Sequence, residues 1–454
     1  MSKKIKSINP YTGELIKTYD AHSSQEASEI LKNADQTFAS WRTTPIKDRA
    51  KKMKQVAEIL MDNKEEYATM ITLEMGKPIS QSIAEIEKCA WVCDFYALNA
   101  PQFLADAIIE TEASESFISY DPLGCILAVM PWNYPFWQVF RFAAPSLMAG
   151  NVAVLKHASN VIGCALLITK IFRKAGFPEG CFQNLLVGHE EIEDLLEDDI
   201  IKAATLTGSE AAGVSIAATS GKNLKKTVLE LGGNNACIIW KDADLEKHME
   251  TIVKARMQNT GQSCIAAKRF IVVEDIYDEF LEKFTAHVKS LVIGDPSDKS
   301  TEISVMARED LAKEVKKQIE ESIDQGAKVT LGNTQDKTYY DPTILIDVKP
   351  GMPAFDEEIF GPVAAIIKAK DETESLALAA NSRFGLGTML FTQNIEKARK
   401  SIATIEDGAF FINEMVKSDP RLPFGGTKAS GYGRELSKDG IMEFVNAKTV
   451  YISK

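Results

Sequence analysis

The stretch Gln258-Asn259-Thr260-Gly261-Gln262-Ser263-Cys264-Ile265-Ala266-Ala267-Lys268-Arg269 sets one cysteine between a polar, glycine-containing approach and a small apolar segment. A thiol placed this way reads as a nucleophile for a carbonyl carbon, because a thiolate attacks carbonyls well and forms an adduct that water can cleave. The alternative is one more buried thiol, since free cysteine is among the most buried residue types. A second candidate is Gly208-Ser209-Glu210-Ala211-Ala212-Gly213, which opens a helix directly after a strand pattern. Its spacing matches neither the dinucleotide fingerprint GxGxxG nor the P-loop. It reads either as an anion site at a helix N-terminus or as an ordinary serine cap.

The elements that must position these residues belong to a large globular chain. At 454 residues the chain exceeds one hydrophobic core, so two or three domains are expected. Hydrophobic residues at 45% and charged residues at 26% are an ordinary globular balance. The net charge of −12 argues against nucleic-acid or anionic-membrane surfaces, which need a basic patch. No apolar run reaches membrane-spanning length, and the basic start Met1 to Lys6 lacks the apolar segment of a secretory signal. The seven cysteines form neither a disulfide framework nor paired zinc spacing. No metal site is expected, and a reducing cytoplasm is the expected compartment.

Asn9-Pro10-Tyr11-Thr12-Gly13-Glu14 is turn chemistry inside a short hairpin over residues 8–20. From Ser24 to about Leu98 the pattern is helical, with a start at Ser23-Ser24-Gln25-Glu26 and a stop and restart at Met75-Gly76-Lys77-Pro78. This helical approach carries no functional signal of its own. Cys125 to Met130 and Val152 to Lys156 are continuous apolar runs, as expected of strands buried on both faces of a parallel sheet. Strand and helix then alternate through Phe182 to Val187 and Lys202 to Thr207, which reads as a doubly wound nucleotide-binding domain. The alternation restarts after Gly232-Gly233, so a second α/β domain begins near residue 231. The tail Lys448 to Ser453 is β-type, with the strand near 115–123 or another subunit as its expected pairing partner.

Six motifs in order carry a resemblance to a known family. They are Pro131-Trp132-Asn133-Tyr134-Pro135-Phe136-Trp137, Ala149-Gly150-Asn151-Val152-Ala153-Val154-Leu155-Lys156, Leu229-Glu230-Leu231-Gly232-Gly233-Asn234-Asn235, Gly261-Gln262-Ser263-Cys264, Glu357-Glu358-Ile359-Phe360-Gly361-Pro362-Val363 and Leu422-Pro423-Phe424-Gly425-Gly426. Together they resemble the aldehyde dehydrogenase superfamily over nearly the whole chain. The resemblance implies an α/β fold with a Rossmann-type cofactor domain (1–108 and 124–230), a second α/β catalytic domain (231–430) and a small β oligomerisation extension (109–123 and 431–454). It implies that Cys264 is the nucleophile and that Asn133 and the Cys264 N–H bind the oxyanion. Glu230 is then the base for thioester hydrolysis, its pKa raised beside Leu229 and Leu231.

For the cofactor, the resemblance implies contacts from Pro131, Trp132, Lys156, Ser159, Ser209, Glu210, Leu231, Glu358 and Phe360. Ser159 stands three residues after Lys156, where many NAD-preferring members have glutamate. A carboxylate repels a 2′-phosphate and a hydroxyl can donate to one, so NADP is the expected cofactor, with NAD also usable. His157 is expected to be a bystander.

Lys156-His157-Ala158-Ser159, the segment 137–141 and the segment 418–426 resemble the short bacterial succinate-semialdehyde dehydrogenases. That substrate carries a carboxylate, so an arginine is the expected handle. Arg141 is the first candidate, with Ser418 and Arg421 assisting and Trp137 and Phe424 lining the aldehyde tunnel; the alternative for Arg141 is a pair with a protein carboxylate. Other aldehydes (glutarate semialdehyde, lactaldehyde or general aliphatic ones) stay open, as do a non-redox thiol esterase and a non-catalytic homologue. The expected partners are a small aldehyde and further copies of the chain, as a homodimer or homotetramer, with no nucleic acid and no membrane.

Overall fold

A computed structural model describes residues 3–453. The chain starts with the hairpin Lys4–Ile8 and Leu15–Asp20, followed by helices Ser24–Trp41, Ile46–Asp62, Lys64–Met75 and Ile79–Phe103. Ser23 and Glu26 form a reciprocal capping box on the first of these, which satisfies two N–H groups at once. Gly76 ends the third helix at φ +73°, and an added Cβ there would stand 2.6 Å from Val305 Cγ2. Pro78 then starts the fourth helix, as the breaker pattern indicates.

Three sheets follow. The first holds five parallel strands, ordered Phe182–Asn184, Val152–His157, Cys125–Met130, Ile201–Thr207 and Lys226–Glu230, with Gly431–Tyr432 added antiparallel at the end. The second holds seven strands, with Asn235–Ile239 and Ala267–Val273 near its middle. In the third, Val445–Ile452 pairs antiparallel with Glu115–Pro122 over its whole length, and Ala107–Ile108 flanks the other side. The tail therefore pairs within its own chain.

Two hydrophobic cores back these sheets. One runs from the N-terminal helices through the first sheet to Leu231 and includes Leu386, Phe424, Leu436, Ile441 and Phe444. The other spans Ala236 to Val416. The stretch 431–454 is split between two places, which differs from the expected single extension. Gly431–Tyr432 pairs with Leu229 and Glu230, and Leu436, Ile441 and Phe444 are buried in the first core; only Val445–Ile452 joins the third sheet. Apolar side chains at 436, 441 and 444 gain more from that core than from an exposed sheet.

The helix Ile79–Phe103 also departs from expectation, because it carries a buried polar anchor. Glu85 Oε1 accepts from the N–H groups of Phe136 and Trp137 at 2.9 and 3.0 Å. Its other oxygen pairs with Lys77, whose side chain is fully buried. One carboxylate thus caps the helix Trp137–Ala149 and neutralises a buried cation, where negative charge suits both the helix dipole and the ammonium. Glu85→Ala strands Lys77 in the interior, and a loss of about 3–5 kcal/mol in folding stability is expected. Urea unfolding checks this. Lys77→Met in the same background should restore part of the loss.

Candidate active site

The first sheet reverses its winding direction between Cys125–Met130 and Ile201–Thr207. In such sheets the crevice beyond the carboxyl ends at the reversal takes the ligand. These two strands run into Pro131-Trp132 and Gly208-Ser209, and all four residues line a cavity of about 220 Å³. Trp132 meets Phe360 edge-on, with centroids 5.7 Å apart at 85°, and Leu231 and Leu311 complete an apolar wall. Ser209 caps the helix Glu210–Lys222 by accepting from Ala212 N–H at 3.4 Å. Among the described residues the Glu210 and Ala211 N–H groups meet no protein acceptor. An apolar slot that ends at open helix N–H groups fits a dinucleotide, its ring on the wall and its phosphate at the helix end.

The loop bearing Cys264 is held by buried cations and by an unusual backbone. Asn259 (φ 57°, ψ 35°) and Thr260 (φ 53°, ψ 37°) are both left-handed, a conformation that is costly for a branched residue such as threonine. Arg256 holds the turn by donating to the carbonyls of Gly261 at 2.5 Å and Gly361 at 2.7 Å. Lys268 Nζ donates to the carbonyls of Ser263 at 2.8 Å and Cys264 at 2.6 Å, and pairs with Glu358 at 3.0 Å. Glu358 also accepts from Gly233 N–H at 3.0 Å. A Cβ on Gly232 would lie 2.4 Å from the Glu358 carboxylate, so glycine is required by close approach.

Cys264 lies on the wall between two cavities. It lines the one just described and a second of about 250 Å³, walled by Trp137, Arg141, Ser418 and Phe424 among others. Gln138 is the other residue common to both. Burial pushes the Cys264 thiol up to about 11, against the opposing fields of Lys268 and Arg141. Asn133 lines the cofactor-side cavity next to it. Its Nδ2 donates to Gln262 O at 3.1 Å, its Oδ1 accepts from Gln138 at 3.0 Å, and its carbonyl accepts from Asn259 Nδ2 at 2.9 Å. One Nδ2–H is therefore left to point elsewhere. The Cys264 N–H, among the described residues, also has no protein acceptor. Two free donors beside one thiol are what an oxyanion needs.

Glu230 ends the strand Lys226–Glu230 and is buried, with both carboxylate oxygens unpartnered. Its pKa is raised well above the usual range, first by burial and then by Glu435, with Arg141 and Arg434 opposing. The sequence reading anticipates the direction from apolar neighbours; the second carboxylate is added by the fold. A Cβ on Gly425 would come within 2.7 Å of Glu230 Oε1. Glu230 lies behind the cavity walls, and its neighbour Leu231 reaches the cofactor-side one.

The substrate-side residues need correction. Arg141 does line the cavity, but its Nε pairs with Glu435, Nη2 donates to Thr207 at 3.3 Å, and the guanidinium lies 4.5 Å from the Phe424 ring. A buried arginine needs a counter-charge, and Glu435 supplies it. Arg141 is thus not a free handle. Arg421 is outside the cavity and two-thirds exposed, held bidentately by Asp419 at 2.8 and 2.6 Å. Trp137 and Ser418 both line the cavity and are joined by a 3.1 Å bond from Nε1 to Oγ.

Among the cofactor candidates, Pro131, Trp132, Ser209, Leu231, Glu358 and Phe360 come together. Glu210 points to Arg383 instead, at 2.5 Å. Lys156 is half-buried at the end of its strand, and Ser159 is exposed on the rim of a separate cavity of about 700 Å³. His157 is no bystander. It accepts from Ala158 N–H at 2.9 Å through Nδ1 and meets Pro135 O through Nε2 at 2.9 Å, so the neutral Nε2–H tautomer fits. Burial lowers its pKa to about 4.

Sequence reading missed Glu85, Lys88, Gln138, Lys268 and Glu435. For the first two a signal existed. Gln81, Glu85 and Lys88 repeat at helical spacing on an otherwise buried helix, and all three reach the substrate-side cavity. Such a polar stripe facing inward has to meet a ligand or a partner.

The aldehyde dehydrogenase family model matches residues 1–450. A probable succinate-semialdehyde dehydrogenase (NADP+) from Synechocystis is 52% identical over 452 residues, covering 99% of this chain and 100% of the relative. A succinate-semialdehyde dehydrogenase (NADP+) from Mycobacterium tuberculosis is 46% identical over 455 residues, covering 99% and 100%. The crystal structure of succinic semialdehyde dehydrogenase from Streptococcus pyogenes with NADP+ superposes with a TM-score of 0.97 at 37% identity, covering 99% of this chain and 100% of that one. With the motifs in order, the reversal crevice formed and a cysteine between two cavities, the chain belongs to the aldehyde dehydrogenase family.

Proposed function

We propose that the protein oxidises succinate semialdehyde to succinate with NADP, through a thiohemiacetal and then a thioester on Cys264. The observation that carries this is the position of Cys264 on the wall common to both cavities. A carbonyl carbon entering from one side meets the sulfur, and a dinucleotide in the cofactor-side cavity supplies the hydride acceptor. The Cys264 thiol must lose its proton before attack. Two carboxylates act on it, Glu358 and Glu230; Glu358 is tied to Lys268 and Gly233, which leaves Glu230. Attack gives an alkoxide held by Asn133 Nδ2–H and the Cys264 N–H. Loss of hydride from the same carbon leaves the thioester. Water then adds to it, Glu230 takes the water proton, and the thiolate departs with succinate as product.

The choice of NADP rests on Ser159, where a carboxylate would repel the 2′-phosphate, and on the NADP+ in the names of the relatives. Lys156, Glu210 and Arg421 keep at most supporting roles in this reading. We assign residues 1–108 and 124–230 to the cofactor half and 231–430 to the catalytic half. We also infer a homo-oligomer in the cytoplasm. The outer edge of Val445–Ile452 is unpaired in the sheet order, with Tyr451 and Ile452 exposed and Ile108 and Ile109 exposed on the opposite flank, which suits pairing with a further copy. No described helix is long and apolar enough to cross a membrane.

Reduced-cofactor absorbance tests the reaction. Wild type should turn over succinate semialdehyde with NADP, and Cys264→Ala should lose at least about a thousandfold in kcat/KM. Glu230→Gln should release a single-turnover burst of reduced cofactor and then stall as the thioester. Ester hydrolysis that needs Cys264, with no reduced cofactor from any aldehyde, would overturn the redox reading. Ser159→Glu should cut the NADP-over-NAD preference by about tenfold or more. In the cofactor-free protein, iodoacetamide should label Cys264 about tenfold faster per pH unit up to its pKa. With that pKa near 11, a plateau below pH 9 would contradict the resting thiol.

A further inference from the structure

The substrate-side cavity holds a cation that the roles above leave unused. Lys88 shares one face of the helix Ile79–Phe103 with Gln81, Ala84 and Glu85, and that face lines the cavity. Its Nζ donates to Ser418 Oγ at 2.8 Å and stands 4.3 Å from the centroid of the Trp137 ring. Among the described residues it forms no ion pair. Arg141, on the same cavity, is already matched by Glu435. A hydroxyl and an aromatic face stabilise an ammonium far less than a carboxylate does.

Ser418 makes the same point from the other side. Its Oγ accepts from Lys88 at 2.8 Å and from Trp137 Nε1 at 3.1 Å. A serine hydroxyl has two lone pairs and one hydrogen, so both lone pairs are used and the O–H remains. Among the described residues it has no protein acceptor. This part of the wall therefore offers only donors, one of them charged, and its complement is an anionic acceptor. Cys264 lines the same cavity of about 250 Å³, a size suited to a molecule of a few carbons with its aldehyde at the sulfur.

We propose that Lys88, together with the Ser418 hydroxyl, binds the carboxylate of the substrate and so selects a short aldehyde acid over a neutral aldehyde. This rests on the aldehyde-oxidising reading of Cys264. Lys88 is a substrate-binding residue here, and Arg141 positions the wall behind it.

The charge on Lys88 is conditional. Burial, and then Arg141, bring its pKa down to about 8, while Cys89, Glu85 and Asp419 act in the opposite direction. The groups around it are Glu85 and Cys89 on its own helix, Arg141 on Trp137–Ala149, Lys254 on Leu245–Met257, and Lys417 and Asp419 in the loop before Leu422. Below about pH 8 Lys88 is cationic and the carboxylate is held; above it the charge is lost and the hold weakens. Titration of Cys264 acts on every aldehyde alike, so the ratio of two substrates isolates Lys88.

The test is steady-state kinetics with NADP on succinate semialdehyde and on butanal, from about pH 6 to about pH 10, for wild type, Lys88→Met and Lys88→Arg. The quantity read is kcat/KM for succinate semialdehyde divided by that for butanal. Lys88→Met should lower this ratio about 30- to 100-fold, mainly through KM, and Lys88→Arg should keep it within about fivefold of wild type. In wild type the ratio should be constant below about pH 8 and fall above it, whereas in Lys88→Met it should be flat. A ratio unchanged by Lys88→Met, or a wild-type ratio with no break near pH 8, overturns the inference while leaving the reaction standing. Equal losses on both aldehydes would mean a structural role and overturn it too. If wild type turns over neither aldehyde in a Cys264-dependent way, the functional reading falls and this inference falls with it.

Discussion

Two hydrogen bonds cross between the turn Pro131–Trp137 and the loop that bears Cys264, and the site depends on them. Asn133 Nδ2 donates to Gln262 O, and Asn259 Nδ2 returns a bond to Asn133 O. One of these residues hangs from the first sheet and the others precede the second. Their registry decides whether the amide and the thiol face the same point. Buried amide bonds of this kind are expensive to leave unmade, so the two halves are held at one spacing.

Each side of that junction has its own rigid support. On the turn side, Glu85 caps the helix Trp137–Ala149, Lys77 neutralises Glu85, and His157 fastens Pro135. On the loop side, Arg256 and Lys268 hold carbonyls of the Cys264 loop, and Lys268 also ties Glu358. The left-handed Asn259 and Thr260 persist because these contacts over-determine the loop. Buried cations thus serve twice, as backbone clamps and as a field that partly offsets the burial of the thiol.

The carboxylates behind the site form a second system. Glu230 and Glu435 are buried close enough to raise one another, with Arg141 beside both. Arg141 spends its charge on Glu435, which leaves Glu230 with two unpartnered oxygens and a raised pKa. That arrangement suits a group that must hold and release a proton near neutral pH. It also frees the front of the substrate-side cavity for Lys88 and Ser418, whose donors face nothing in the protein.

Much of this was legible in the sequence. Apolar runs at 125–130 and 152–156 mark strands buried on both faces, because a parallel sheet covered by helices leaves them no polar side. The turn at Gly76 and the cap at Ser23 are local chemistry and follow from residue type alone. Local motifs likewise point to Cys264, Asn133, Glu230 and the crevice residues Trp132, Ser209 and Phe360. Pairing over long separations was not legible. That Glu435 takes Arg141, that Lys88 meets Ser418 across 330 positions, and that 431–444 return to the first core are decided by which surfaces meet in three dimensions. Charge is the physical reason: a side chain's type gives its sign, and only the fold decides which counter-charge reaches it in the low-dielectric interior.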